Sequence, residues 1–104
     1  MKASYILTEA AEADLRAIIR YTRREWSDPQ VRRYVEDLEL GIARLALAQG
    51  SWRDVGSLYP HMRVAHVGHH YVFCLPQDNA PALIVAILHE RMDLMARLAE
   101  RLKG

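Results

Sequence analysis

The sequence predicts an α+β fold of order β-α-α-β-β-β(-α), an N-terminal helical hairpin packed on an antiparallel β-meander. Three observations carry that expectation. Two consecutive stretches place apolar residues at helical spacing, the spacing switches to alternation from Met62, and Ala82 to Leu88 is apolar at every position. At 104 residues the chain is read as one domain, 1–104. The helical hairpin spans about 8–49, the β-meander about 62–89 and a C-terminal helical tail about 92–103.

Tyr5-Ile6-Leu7 is a short β-prone run ended by Thr8, a good helix N-cap. Glu9, Glu12 and Asp14 then place negative charge where a helix dipole favours it. Ala11, Leu15, Ile18, Ile19, Thr22 and Trp26 form the apolar stripe, with Glu12, Arg16, Arg20 and Arg23 opposite. Ser27-Asp28-Pro29-Gln30 ends this helix and starts the next, capped either by Ser27 with Gln30 in a capping box or by Asp28 ahead of Pro29. Val31, Tyr34, Val35, Leu38, Ile42 and Leu45 form the second stripe, closed by Gln49-Gly50; Gly41 beside it suggests a close approach of the two helices. So short a link requires an antiparallel hairpin.

Residues 50–61 read as a loop with apolar anchors at Trp52, Val55, Leu58 and Tyr59. Met62 to Val67 alternates, Gly68-His69 makes a tight turn, and His70 to Leu75 returns. Pro76 to Pro81 is a second turn. The run Ala82 to Leu88 has the pattern of a central strand covered on both faces. Leu94, Met95, Leu98 and Leu102 mark a short terminal helix, whose stripe needs cover either from its own sheet or from another chain.

Composition narrows the class. The chain is 51% hydrophobic and 26% charged, ordinary for a folded protein, and its net charge of +1 creates no global demand for nucleic acid. Any such affinity would need a local patch, and direct nucleic-acid binding is not expected. Residues 1–49 carry eight Lys/Arg against eight Asp/Glu, whereas all five histidines fall in the second half. A single cysteine, Cys74, fits a reducing cytoplasm and reads as a small buried residue, not a nucleophile. Met1-Lys2-Ala3-Ser4 leads into no signal-like stretch, and no run is long enough to span a bilayer.

There is no Gly-rich phosphate loop, nucleophile elbow or HExxH motif. His61, His66, His69, His70 and His89 lack the paired spacing of a zinc site, so neither metal nor cofactor is expected. Ser57, His66 and Asp54 form a triad only on paper. A metal-independent ribonuclease site is the stronger catalytic candidate, because Arg63, His66, His69, His89 and Arg91 lie on or beside the meander and could converge on a phosphate.

Leu7 to Leu15, with Tyr21 and Trp26, resembles the first helix of the RelE/ParE toxin superfamily. Arg63-Val64 followed by Val67 to Phe73 is similar to its central hairpin, and Leu88-His89-Glu90-Arg91-Met92-Asp93-Leu94 to the end of the last strand in the ParE branch. The resemblance spans residues 5–95. It implies the toxin of a type II toxin–antitoxin pair, neutralised by a cognate ParD-like antitoxin. ParE members inhibit DNA gyrase, whereas RelE members cleave messenger RNA on the ribosome. The RelE type generally keeps a Tyr or His near the C-terminus, and residues 92–104 hold neither, which favours the ParE branch. Glu9 stands where many relatives have proline, Cys74 where an aromatic is frequent, and the tail is longer than in many relatives.

In the gyrase reading Arg63, His89, Arg91, Arg97 and Arg101, with Leu94, Met95 and Leu98, are the expected partner and target contacts, within a toxin–antitoxin hetero-oligomer. In the ribonuclease alternative Arg63 and Arg91 hold phosphate while His66, His69 or His89 acts as acid or base. A third alternative is a binding module that has lost toxicity.

Overall fold

The computed structural model describes residues 4–103; the N-terminal reading over Met1-Lys2-Ala3 and the final Gly104 lie outside the described residues. The elements are β1 (Tyr5–Leu7), α1 (Glu9–Glu25), α2 (Asp28–Ala46), β2 (Arg53–Asp54), β3 (Arg63–Val67), β4 (His70–Gln77), β5 (Ala80–His89) and α3 (Leu94–Lys103). They build a mixed five-stranded sheet of order β1-β5-β4-β3-β2, an α+β fold in which the helical hairpin precedes the antiparallel meander. β1 pairs with β5 in parallel, and β2, inside the segment read as a loop, adds a short antiparallel edge to β3. No helix among the described residues is long and apolar enough to cross a membrane.

Local chemistry accounts for the boundaries. The Thr8 hydroxyl accepts the Ala11 N–H at 3.1 Å to start α1, and the buried Thr22 hydroxyl donates to the Ile18 carbonyl at 2.8 Å. Ser27 is the cap of α2, its backbone N–H donating to Oε1 of Gln30 at 3.2 Å, so of the two starts open to the sequence the Ser27 one is used. Trp26 ends α1 and is partly exposed instead of closing its stripe. Gly41 serves a different approach from the one expected. A Cβ there would fall 2.7 Å from the Val67 side chain, so the glycine lets α2 close on β3, not on α1.

The sheet is buried on both faces. Against the helical hairpin lie Ala65, Val72, Cys74, Ala82, Ile84 and Ile87, with Leu38, Ile42 and Leu45 of α2. On the other face Val64, Phe73, Val85, Ala86 and Leu88 pack with Met62 and with Leu98 of α3. A bulge in β5 makes this partition possible. Phe73 pairs with Ala86 and Cys74 with Ile84, so Val85 has no partner and the alternation flips, sending Ile84 and Ile87 to the same face. α3 therefore takes its cover from the chain's own sheet, with Leu98 buried and Leu94 and Leu102 half-buried.

Candidate functional site at the end of the last strand

β1 is only three residues long, so it leaves the outer edge of β5 unpaired from Val85 onward. Side chains from both helical layers fill the gap. Asp14 of α1 accepts the Ile87 N–H at 3.0 Å, and Arg101 of α3 donates to the Val85 carbonyl at 2.8 Å. The two are joined by a bidentate ion pair of 2.9 and 3.0 Å. Hydrogen bonding to Asp14 raises the Arg101 pKa further. Arg101 is thus engaged within the chain and Leu98 faces its own core, so neither is presented to a partner in this conformation.

Beyond this cap β5 ends at His89, and four of the five histidines gather around it. The Tyr34 hydroxyl accepts the His69 backbone N–H at 2.9 Å, which leaves its own proton for Nδ1 of His70 at 2.6 Å. That assignment makes His70 the neutral Nε2–H tautomer. Burial first, then the neighbouring His89 and His69, pushes the His70 pKa down to about 4 against the opposing pull of Glu90. Gly68, at φ +58°, permits the close fit, since a Cβ there would meet the Tyr34 ring at 2.7 Å.

Glu90 leaves the strand on the other side of the cluster. It accepts from Nδ1 of His69 at 3.0 Å and Nε2 of His66 at 2.8 Å, and these two bonds hold its carboxyl below the usual range. His66 stacks on Tyr71 with ring centroids 4.3 Å apart, and His89 packs edge-on against His70 at 5.1 Å. Nδ1 of His89 accepts the Arg91 N–H at 3.0 Å, turning the chain into the exposed segment Arg91-Met92-Asp93. The Asp93 carboxylate then caps α3 through the Ala96 N–H at 3.2 Å.

The expected convergence is therefore partial. His66, His69, His89 and Arg91 share one end of the sheet, but Arg63 does not. It pairs in register with Cys74, about 13 Å along the sheet from the His70–His89 pair at ordinary strand rise. Its guanidinium lies toward the helical hairpin, 3.4 Å from the Leu45 carbonyl at the end of α2 and over the Trp52 ring. Arg63 and Arg91 consequently cannot clasp one phosphate in this conformation. Among the described residues no group of three or more His, Cys, Asp or Glu is arranged to hold a metal ion. Cys74 is fully buried and its thiol pKa is pushed up to about 11, chiefly by burial.

Tyr34, Glu90, Asp14 and Met92 are the contributors that pattern reading missed. Tyr34 and Asp14 counted only as helix positions, because their partners lie 36 and 73 or more residues away. Only Met92 and Glu90 carried a signal, being polar-flanked residues immediately after a buried strand. On the exposed side Met92 and Met95 are 44% and 57% accessible, set among the exposed Arg91 and Arg97.

Comparison with known proteins places this geometry in context. Residues 5–94 match the family model described as the ParE toxin of type II toxin–antitoxin system, parDE. The chain is 66% identical over 101 residues to Toxin ParE of Escherichia coli, covering 97% of this chain and 98% of that one. It is 30% identical over 94 residues to Toxin ParE1 of Mycobacterium tuberculosis, covering 90% and 96% respectively.

Proposed function

The chain belongs to the ParE toxin family of type II toxin–antitoxin systems, and from that premise we propose that it stops growth by binding DNA gyrase and is neutralised by a ParD-like antitoxin. The activity is binding, not bond-making. The observation that carries this reading is the exposed surface following β5, where Met92 and Met95 stand beside Arg91 and Arg97. Methionine and arginine are enriched in protein interfaces, and a flexible thioether adapts to an irregular partner surface. α3 does not need either methionine for its own packing, because Leu98 already supplies the buried contact. His89 fixes the start of this surface and half-buried Leu94 lines its margin.

Gyrase supercoiling tests the reading directly. Protein freed of antitoxin is expected to inhibit supercoiling of relaxed plasmid or to accumulate cleavage complexes. The double variant Met95→Asp, Arg97→Glu should raise the concentration needed by roughly tenfold or more while remaining folded. Full gyrase activity at a large molar excess of toxin would refute the proposal.

A second reading has one observation in its favour, the Glu90 carboxylate held between two imidazoles beside Arg91. That set could perform acid–base chemistry on RNA. Ribosome-dependent message cleavage abolished by Glu90→Gln would establish it in place of gyrase inhibition.

A further inference from the structure

The net charge of the whole chain conceals a local concentration. Residues 20–33 hold five arginines, Arg20, Arg23, Arg24, Arg32 and Arg33, against the two carboxylates of Glu25 and Asp28. This segment therefore carries +3 in a chain whose total is +1, leaving the rest at −2. The fold gathers the five at one place. Arg20, Arg23 and Arg24 occupy the end of α1 and Arg32 and Arg33 the start of α2, with only Trp26-Ser27 between the helices. At helical rise every one of their Cα atoms lies within about 8 Å of the hairpin tip along the axes.

All five are exposed, and among the described residues none forms an ion pair. Arg20 and Arg24 are spaced i,i+4, a like-charge arrangement that costs helix stability. Arg32 and Arg33 have Glu36 and Asp37 at the same spacing without a bridge to either. Arg23 and Arg32 flank the groove between the helices beside Asp28, Glu36 and Glu39, whereas Arg20, Arg24 and Arg33 stand outside it. Tyr21, one turn before Arg24 on α1 and outside the groove, is 63% exposed, and Trp26 at the tip is 37% exposed in a T-shaped contact with Tyr34.

We infer that the tip of the helical hairpin binds single-stranded nucleic acid, its arginines contacting consecutive phosphates while Tyr21 stacks on an unpaired base. Guanidinium groups bridge phosphate oxygens, and an exposed ring beside Arg24 gives a base a stacking surface. An acidic protein segment would use the arginines equally well but would have no base to set against the ring. This site is distinct from the end of β5, and it does not depend on the gyrase reading.

Fluorescence anisotropy of a labelled oligothymidylate with the purified full chain tests it in the absence of gyrase. Binding is expected to fall about 100-fold between 50 and 200 mM salt if some five phosphates are contacted. The double reversal Arg24→Glu, Arg33→Glu should weaken it at least tenfold. The charge-matched control Arg44→Glu, Arg53→Glu, placed at exposed positions away from the tip, should lose much less. Tyr21→Ala should lower affinity for the single strand by roughly fivefold and leave duplex affinity unchanged. Equal loss in the two double variants, with circular dichroism showing both folded, overturns the assignment. Polyglutamate binding as tight as that of DNA overturns it in favour of an acidic protein partner. Duplex preferred over single strand, with no effect of Tyr21→Ala, overturns the stacking role and with it the single-strand proposal. Each of these outcomes leaves gyrase supercoiling as a separate question.

Discussion

His70 differs from the other histidines by what surrounds it, and that difference has a measurable consequence. Its pKa is lowered to about 4 in the folded chain by burial, then by His89 and His69, against an unfolded value near 6.5. Between those values the unfolded state binds more protons, so stability rises with pH. The contribution is fully present above about pH 6.5 and is lost as pH falls toward 4. Glu90 acts in the same direction at lower pH, since a carboxyl held below its ordinary value by His69 and His66 stabilises the fold only while ionised. Urea unfolding at pH 7.0 and 4.5 should show the loss, and His70→Gln should flatten much of the dependence between them. Equal slopes for the variant and the parent would assign the titration to another group. None of this was visible in the sequence, where five histidines look alike and Tyr34 stands 36 residues from its partner.

At the scale of elements, the regular features were legible because each has a period. The two helices, the Thr8 cap, a second start within Ser27-Asp28, the turn at Gly68-His69 and the doubly buried β5 all follow from spacing and local chemistry. What spacing does not encode is pairing across the chain. The parallel seat of β1 on β5, the two-residue β2 and the Val85 bulge depend on partners distant in sequence. The same holds for Asp14 and Arg101, which are 87 residues apart and together close the edge of β5. Arg97 and Arg101 therefore looked equivalent in sequence and are not. Arg101→Ala should lower unfolding stability by about 2–3 kcal/mol, because it leaves the Val85 carbonyl and a partly buried carboxylate short of a partner. Arg97→Ala, at an exposed position, should stay within about 0.5 kcal/mol. Denaturant unfolding of the pair distinguishes them, and similar values would mean that the ion pair contributes little to the fold.

For the molecule as a whole, the sheet separates two cores, and the helical hairpin can cover only one of them. The other depends on α3, which spans ten residues and brings Leu94, Leu98 and Leu102 to Val64, Phe73, Val85 and Leu88. A helix this short is marginal by itself, so it is held by what it packs on. Truncating Leu98 alone should cost about 2–5 kcal/mol, against a total of roughly 5–15 kcal/mol typical of such a domain. Deleting residues 94–104 removes that contact, both flanking leucines and the Arg101 cap. The shortened chain should then melt without a cooperative transition and bind a hydrophobic dye at room temperature. Full-length Met95→Asp, Arg97→Glu should keep the parent's melting temperature, because both side chains are exposed. The comparison separates a tail that completes the fold from one that only presents a binding surface. A truncated chain with an unchanged, cooperative melt would show that the second core closes without α3, and the whole tail would then be free to engage a partner.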